Sequence, residues 1–140
     1  MKIKIKKLHP DAIIPHYAHK GDAGMDLFTI ESFELEPGQR KSIGLGLALE
    51  IPEGHVGLIM DKSGISHKYG IKSFGGVIDS GYRGEIHVGI MNLSDKFFLF
   101  EKGHKIAQLI IQEFKHVEFE ETKELNFSIR GENGLGSTGK

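Results

Sequence analysis

Apolar positions in this chain recur in short runs and not in helical steps. The segments IKIKKL (residues 3–8), MDLFTI (25–30), SIGLGLALEI (42–51), HVGLIM (55–60), EIHVGIMNL (85–93), FFLF (97–100) and IAQLIIQEF (106–114) are each of strand length and rich in β-branched or aromatic residues. Between them, EPGQ, PEGH, DSGYRG, LSDK and EKGHK carry the Gly, Pro, Ser and Asp chemistry of turns. No window sustains the i, i+3, i+4, i+7 apolar spacing of an amphipathic helix, and the one helical candidate is a turn or so around residues 66–69. The pattern predicts an all-β domain, a sandwich or barrel, with no linker, repeat or low-complexity block to divide it.

Composition narrows that picture. A chain of 140 residues fits one domain and can bury roughly two thirds of its unfolded surface. Its 19 glycines are about twice the usual share, which suits many turns. With no cysteine, disulfides, thiolate metal sites and a Cys nucleophile are excluded together, and a reducing compartment such as the cytoplasm is permitted. The opening MKIKIKKL alternates apolar and Lys residues without an apolar core run, so it reads as a strand of a soluble intracellular protein, with neither a signal peptide nor a membrane partner expected. Eighteen basic against 19 acidic side chains leave no field of one sign. No nucleic-acid partner is therefore expected, and an anionic ligand has to be held by a local site.

Polar residues gather in four loops: AGMDL (23–27), DKSG (61–64), GGVIDSGYRGE (75–85) and GHKIAQ (103–108). Taken singly, Asp26 reads equally as a turn or edge carboxylate, and Ser63 with Gly64 as a plain turn. The third loop is more specific. Val77 and Ile78 place Asp79 at a strand end, Ser80 and Gly81 turn the chain, and Tyr82 follows three residues after the carboxylate. In a hairpin this presents an acceptor and a flat ring to a small molecule; the alternative is a Tyr packed on its own core. Residues 134–140 read G-x-x-x-x-G-K, but without a Ser or Thr and a helix after the Lys a nucleoside-triphosphate P-loop is not expected here. What remains is a Gly-rich stretch able to wrap an anion, with hydroxyls at Ser137 and Thr138 and cations at Arg130 and Lys140, or else a frayed tail.

In order, AGMDL, DKSGIS, GGVIDSGYRGEI, GHKIAQ and RGENGLGSTG resemble the five motifs of the trimeric dUTPases, enzymes that split dUTP into dUMP and pyrophosphate and so keep uracil out of DNA. The resemblance runs from residue 23 to 139. It implies a β jelly roll assembled as a homotrimer, with active sites at subunit interfaces, a β domain over residues 1–125 and a mobile C-terminal arm over 126–140 that closes over the nucleotide. It further implies that Asp79 orients or deprotonates the attacking water and accepts the sugar 3′-OH, while Tyr82 packs on the deoxyribose where a ribose 2′-OH would clash. Uracil is expected to be read by backbone groups around Gly76 and residues 85–88. Lys62, Ser63, Gly64 and Gln108 are expected at the phosphates, Arg130, Gly136, Ser137 and Thr138 at the terminal phosphate, Leu135 over the base, and Asp26 beside Mg²⁺ through water. Mg²⁺ on the triphosphate is the expected cofactor, held in no tight protein cage.

Three positions depart from the family's pattern. Lys62 stands where motif two normally has Arg, keeping the charge but losing the planar fork, and Asp61 beside it is an unfavourable neighbour for a phosphate. Leu135 stands where an aromatic stacks on the base, a difference of about 1–3 kcal/mol. Gly81 replaces an acidic residue before Tyr82. Together they predict a weaker or slower enzyme.

Other readings compete. The dCTP deaminases share the resemblance, but the position of their proton-shuttling Glu falls on Gly89. A dUTPase-like trimer that binds a nucleotide or a partner without efficient turnover is motivated by Lys62 and Leu135. A single-strand nucleic-acid binder is suggested by Phe97, Phe98 and Phe100, although balanced charge and the intervening Leu99 favour a core role for them. His16 and His19 lie three apart, with Pro15 arguing against a helical metal pair.

Overall fold

The structure is a computed structural model that describes residues 1–134, so Leu135, Gly136, Ser137 and Thr138 lie outside the described residues. The chain runs β1 (Lys4–Lys7), β2 (Met25–Phe28), β3 (Phe33–Leu35), β4 (Arg40–Gly44), β5 (Leu47–Glu50), β6 (His55–Met60), α1 (Ser63–Tyr69), β7 (Ile71–Phe74), β8 (Val77–Ile78), β9 (His87–Asn92), β10 (Phe98–Phe100) and β11 (Lys105–Glu113). Two larger sheets, ordered β2-β11-β6-β8 and β4-β9-β7, are joined by two-stranded ribbons β1-β5 and β10-β3. Every ladder is antiparallel. Alternation along the strands explains the layering. In β9 the even-numbered Val88, Ile90 and Asn92 are buried and the residues between them are not.

Leu27, Leu35, Leu45, Ile51, Val88, Ile90, Phe100 and Leu109 form the centre of the core. Phe33 stacks on Phe100 with ring centroids 4.8 Å apart, and Phe98 tilts against Phe100 at 4.7 Å. Of the three phenylalanines that suggested base stacking, Phe100 is fully buried, Phe98 packs against the core and Phe97 is exposed.

The expected single strand over residues 42–51 is broken into β4 and β5 at Gly46. There φ is +64°, and a Cβ would lie 2.7 Å from that of His9. β3 and β7 were not anticipated, and the helix begins at Ser63, three residues before the expected turn. It ends at Gly70, whose left-handed backbone lets its N–H donate to carbonyls of the last turn. The third polar loop is also not a hairpin. β8 pairs with β6 and β9 with β4 and β7, so residues 79–86 cross from one sheet to the other.

After β11 the described residues add no strand, and Val117, Phe119, Leu125, Phe127 and Ile129 stand exposed, the last at 98%. Elsewhere an apolar groove of about 120 Å³ opens between Ile3, Ile5, Met25, Leu49, Leu109 and Ile111. Among the described residues no helix is long and apolar enough to cross a membrane.

Candidate active site

The sheet β2-β11-β6-β8 carries all four polar loops at its strands or their ends. In β11, Gln108 sits opposite Asp26 of β2 on one side and Met60 of β6 on the other, so the three share a rung. The Gln108 amide packs flat on Gly24, where a Cβ would come within 2.2 Å of Oε1, and its Nε2 donates to the Asp61 carbonyl at 2.8 Å. Glycine at position 24 is thus a condition for Gln108 lying across this rung.

Asp26 is only 3% exposed. Lys62 Nζ donates to its Oδ1 at 2.7 Å, and Lys105 Nζ lies 2.7 Å from Oδ2 as a charge contact without hydrogen-bond alignment. Burial pushes this carboxyl up, but the Lys105 and Lys62 ammonium groups outweigh it and hold it below the ordinary carboxylate value. Lys105 reaches Asp26 because of a shift of register. Between Lys105 and Ala107 one extra residue interrupts the β11–β2 ladder, placing Lys105 opposite Phe28 and therefore on the face that Asp26 shares. The motif-four segment contained this Lys, but spacing alone would have pointed it away.

Lys62 is the N-terminal flanking residue of α1 and Ser63 and Gly64 open the helix, both exposed, so their N–H groups lack intrahelical acceptors. Asp61 does not confront this region, as its sequence neighbours suggested. Its carboxylate turns toward β7, where Oδ1 accepts from the Ser73 N–H at 2.7 Å and Ser73 Oγ at 2.6 Å, and Oδ2 pairs with Lys72 Nζ. Burial raises this carboxyl too, and Lys72 with Ser73 lowers it by more.

A second cluster lies on the crossover. Gly75, Val77, Ile78, Asp79, Tyr82, Glu85 and His87 line a cavity of about 230 Å³. Asp79 is exposed at the end of β8, and the Tyr82 N–H donates to its carbonyl at 3.1 Å. Tyr82 is 47% exposed, so its ring walls the cavity and is not part of the core. Its hydroxyl donates to the Glu85 carbonyl at 2.9 Å, and its ring lies over Gly84, where a Cβ would meet Oη at 2.4 Å. The Glu85 side chain fastens the far end of the crossover, Oε1 accepting from the Gly46 N–H at 2.8 Å. Glu85 and His87 side chains were not anticipated, since the expectation there concerned backbone groups alone. Gly76 is packed so closely on β6 that a Cβ would lie 2.5 Å from the Ile59 carbonyl oxygen.

Within one chain these clusters stand apart. Ile78 is opposite Gly57, and β8 runs antiparallel to β6, so Asp79 heads away from Lys62, five residues beyond Gly57. At about 3.3 Å per residue the separation along the strand is on the order of 15–20 Å. Arg130 joins neither cluster through a hydrogen bond; its Nε donates to the Asn133 carbonyl at 3.0 Å in a local turn. His16 stacks on Phe28 with centroids 5.1 Å apart. Among the described residues no group of three or more His, Asp or Glu could hold a metal ion. Both Asp26 oxygens face lysines, so neither is open to direct coordination of a cation in this arrangement. At Gly89 any Cβ would lie 2.5 Å from the Phe74 ring and 2.9 Å from its carbonyl oxygen, so a deaminase-type Glu has no room there.

Comparison with known proteins follows the same lines. The dUTPase family model matches residues 10–139. A deoxyuridine 5'-triphosphate nucleotidohydrolase of Clostridium kluyveri is 43% identical over 141 positions covering 99% of each chain. Its namesake in Nautilia profundicola is 46% identical with both chains fully covered. Among solved structures, a mutant dUTPase of Staphylococcus bacteriophage 80alpha with dUpNHpp superposes with a TM-score of 0.93 at 32% identity, covering 99% of each chain. A mutant dUTPase of phage phi11 of S. aureus, described with a coordinated structural Mg(II) ion, gives 0.83 at 30% identity over 91% of this chain and all of that one. With a matching family model over nearly its whole length and relatives this similar end to end, the chain belongs to the dUTPase family.

Proposed function

We propose that the protein hydrolyses dUTP to dUMP and pyrophosphate, taking the nucleotide as its Mg²⁺ complex. The observation that carries this reading is the crossover cavity, where an exposed carboxylate and an exposed aromatic wall, Asp79 and Tyr82, face one small space. Asp79 takes the proton of a water that attacks the α-phosphorus, and pyrophosphate leaves with the electron pair of the broken P–O bond. Tyr82 packs on the deoxyribose and excludes a 2′-hydroxyl. Backbone groups at Gly76 and residues 85–88 read uracil, and Leu135 covers it.

The rung cluster serves the triphosphate. Gln108 has a second amide hydrogen beyond the one given to Asp61, available to a phosphate oxygen. Ser63 and Gly64 contact the phosphates near the scissile bond. Lys62 exchanges Asp26 for phosphate, and Lys105 stays behind so that the buried carboxylate is never left alone. Oδ1 is then free to accept from a water of the Mg²⁺ complex. Bound with the triphosphate, Mg²⁺ would supply charge neutralisation, and Asp26 would hold it through water, in keeping with the lack of a His, Asp or Glu cluster among the described residues. The arm over residues 126–140, with Arg130, Gly136, Ser137 and Thr138, closes on the terminal phosphate.

A homotrimer completes the site. The wide spacing of the two clusters within one chain, and the exposed Val117, Phe119, Leu125, Phe127 and Ile129, support assembly from several subunits. A chain without cysteine suits the cytoplasm. Subunit mixing tests both parts. Asp79→Asn and Lys62→Met are each strongly impaired alone, and their mixture after subunit exchange recovers about a quarter of wild-type sites if the residues come from different chains. No recovery places both residues in one chain's site and contradicts the assembly. Full turnover by Asp79→Asn contradicts the mechanism.

A further inference from the structure

Asp61 occupies a junction that neither the chemistry of phosphate binding nor the core requires. Its backbone precedes Lys62, Ser63 and Gly64, and its carbonyl accepts the hydrogen bond that fixes Gln108. Its carboxylate accepts twice from Ser73 and pairs with Lys72, both on β7. One residue therefore ties the end of β6, the start of α1, β7 and the middle of β11, and the groups assigned to direct phosphate contact outside the C-terminal arm, Lys62, Ser63, Gly64 and Gln108, hang from those elements. The pairing of β7 is otherwise with β9 in the other sheet, so Asp61 is a polar tie from the phosphate-binding turn to the opposite layer.

We propose that Asp61 is a positioning residue for the triphosphate. It acts through the turn and through Gln108 and touches no substrate atom. Its negative charge is kept out of the phosphate region because both carboxylate oxygens are engaged on the β7 side, so an acidic residue beside Lys62 is tolerated. Ser73 is its specific partner, since a single Oδ1 receives both the Ser73 N–H and the Ser73 hydroxyl. A side chain without that acceptor frees the turn to relax, and Gln108 then loses its fixed carbonyl.

The inference rests on the dUTP-hydrolysis reading, and its test separates the two. Binding of dUpNHpp and of dUMP is measured by calorimetry on the assembled wild type and on Asp61→Ala, together with kcat and KM for dUTP. A positioning role for the triphosphate predicts that Asp61→Ala weakens dUpNHpp by about tenfold or more while dUMP changes by less than about threefold. Asp61→Asn, which keeps an oxygen acceptor for Ser73 and loses only the ion pair, falls between Asp61→Ala and wild type. Equal loss for both ligands marks a purely structural residue and overturns the proposal, as does no loss for either. If Asp61→Ala does not assemble, Ser73→Ala removes the hydroxyl bond alone and is expected to show the same selective loss in smaller measure; equal effects on both ligands overturn the proposal there too. A wild type that neither binds dUpNHpp nor hydrolyses dUTP refutes the underlying functional reading instead.

Discussion

Replacing Gly84 by Ala moves Tyr82 without deleting it. The backbone at Gly84 is not in the left-handed region, so the substitution adds no backbone strain. The new Cβ would lie 2.4 Å from Tyr82 Oη, 2.6 Å from Cζ and 2.9 Å from Cε2. Ordinary contact needs about 3.5 Å, so the ring has to swing away by roughly 1 Å at its tip. It is half exposed and free to do so, at the cost of its hydrogen bond to the Glu85 carbonyl, about 0.5–1.5 kcal/mol. Stability is therefore expected to fall by about 1 kcal/mol or less, whereas a misplacement of about 1 Å of the sugar that carries the reacting phosphate can cost up to about a hundredfold in rate. Pyrophosphate release from dUTP and from UTP, with thermal unfolding at fixed protein concentration, separates these effects. The expected result is kcat/KM for dUTP down by about tenfold or more, a narrowed preference for dUTP over UTP, and little change in melting temperature. An unchanged dUTP-to-UTP ratio would refute the assignment of Tyr82 as the wall that excludes the ribose hydroxyl.

Three further predictions concern the phosphate cluster, the base cover and Gly89. Lys62→Arg combined with Leu135→Phe restores the fork and the stacking ring of the family pattern and is expected to raise catalytic efficiency by about tenfold or more; steady-state kinetics showing no gain would remove the explanation that these positions weaken the enzyme. Asp26→Asn leaves Lys62 and Lys105 together without a countercharge and is expected to destabilise by roughly 1–3 kcal/mol near pH 7, a figure reduced because both lysines are partly exposed. Because the folded-state carboxyl is held below its ordinary 3.8, its stabilisation is complete above that value and is lost as pH falls through the lower one. Denaturant titrations should thus show the gap closing as pH falls below 3.8, and a pH-independent gap would contradict the ion-pair assignment. Gly89→Glu is expected to unfold at lower temperature and to release no ammonia from dCTP, since its Cβ collides with the Phe74 ring and backbone; ammonia release would reinstate the deaminase reading.

The longer alternating strands were legible from sequence, because burial on one face writes itself into every second position, as in β9, whereas β7 alternates over only four residues and was missed. β3 was missed as well, since three residues, FEL, are too few to establish a period. Of α1 only the turn around residues 66–69 was expected, and its first turn was missed for a different reason. The helix buries none of its residues, and Lys62 at its N-terminus supplies no side-chain cap, so neither periodicity nor capping chemistry marked its start. The loops to which the proposed chemistry is assigned stood out by their polar content. Their partnerships did not. Lys62 and Asp26 are 36 residues apart, and Lys105 faces Asp26 only through a shift of register. Asp61 looked adverse because sequence shows its neighbours along the chain and not the Ser73 and Lys72 it turns toward. The expectation of a hairpin at Asp79 failed because a short strand followed by a turn does not specify which sheet the next strand joins.

The most direct test is purified protein with Mg²⁺ against dUTP, dCTP, dTTP and UTP, with pyrophosphate and ammonia followed in the same tubes. Pyrophosphate from dUTP alone, without ammonia from any nucleotide, is the expected result. Ammonia from dCTP, equal pyrophosphate from all four, or tight dUTP binding with no turnover would contradict it.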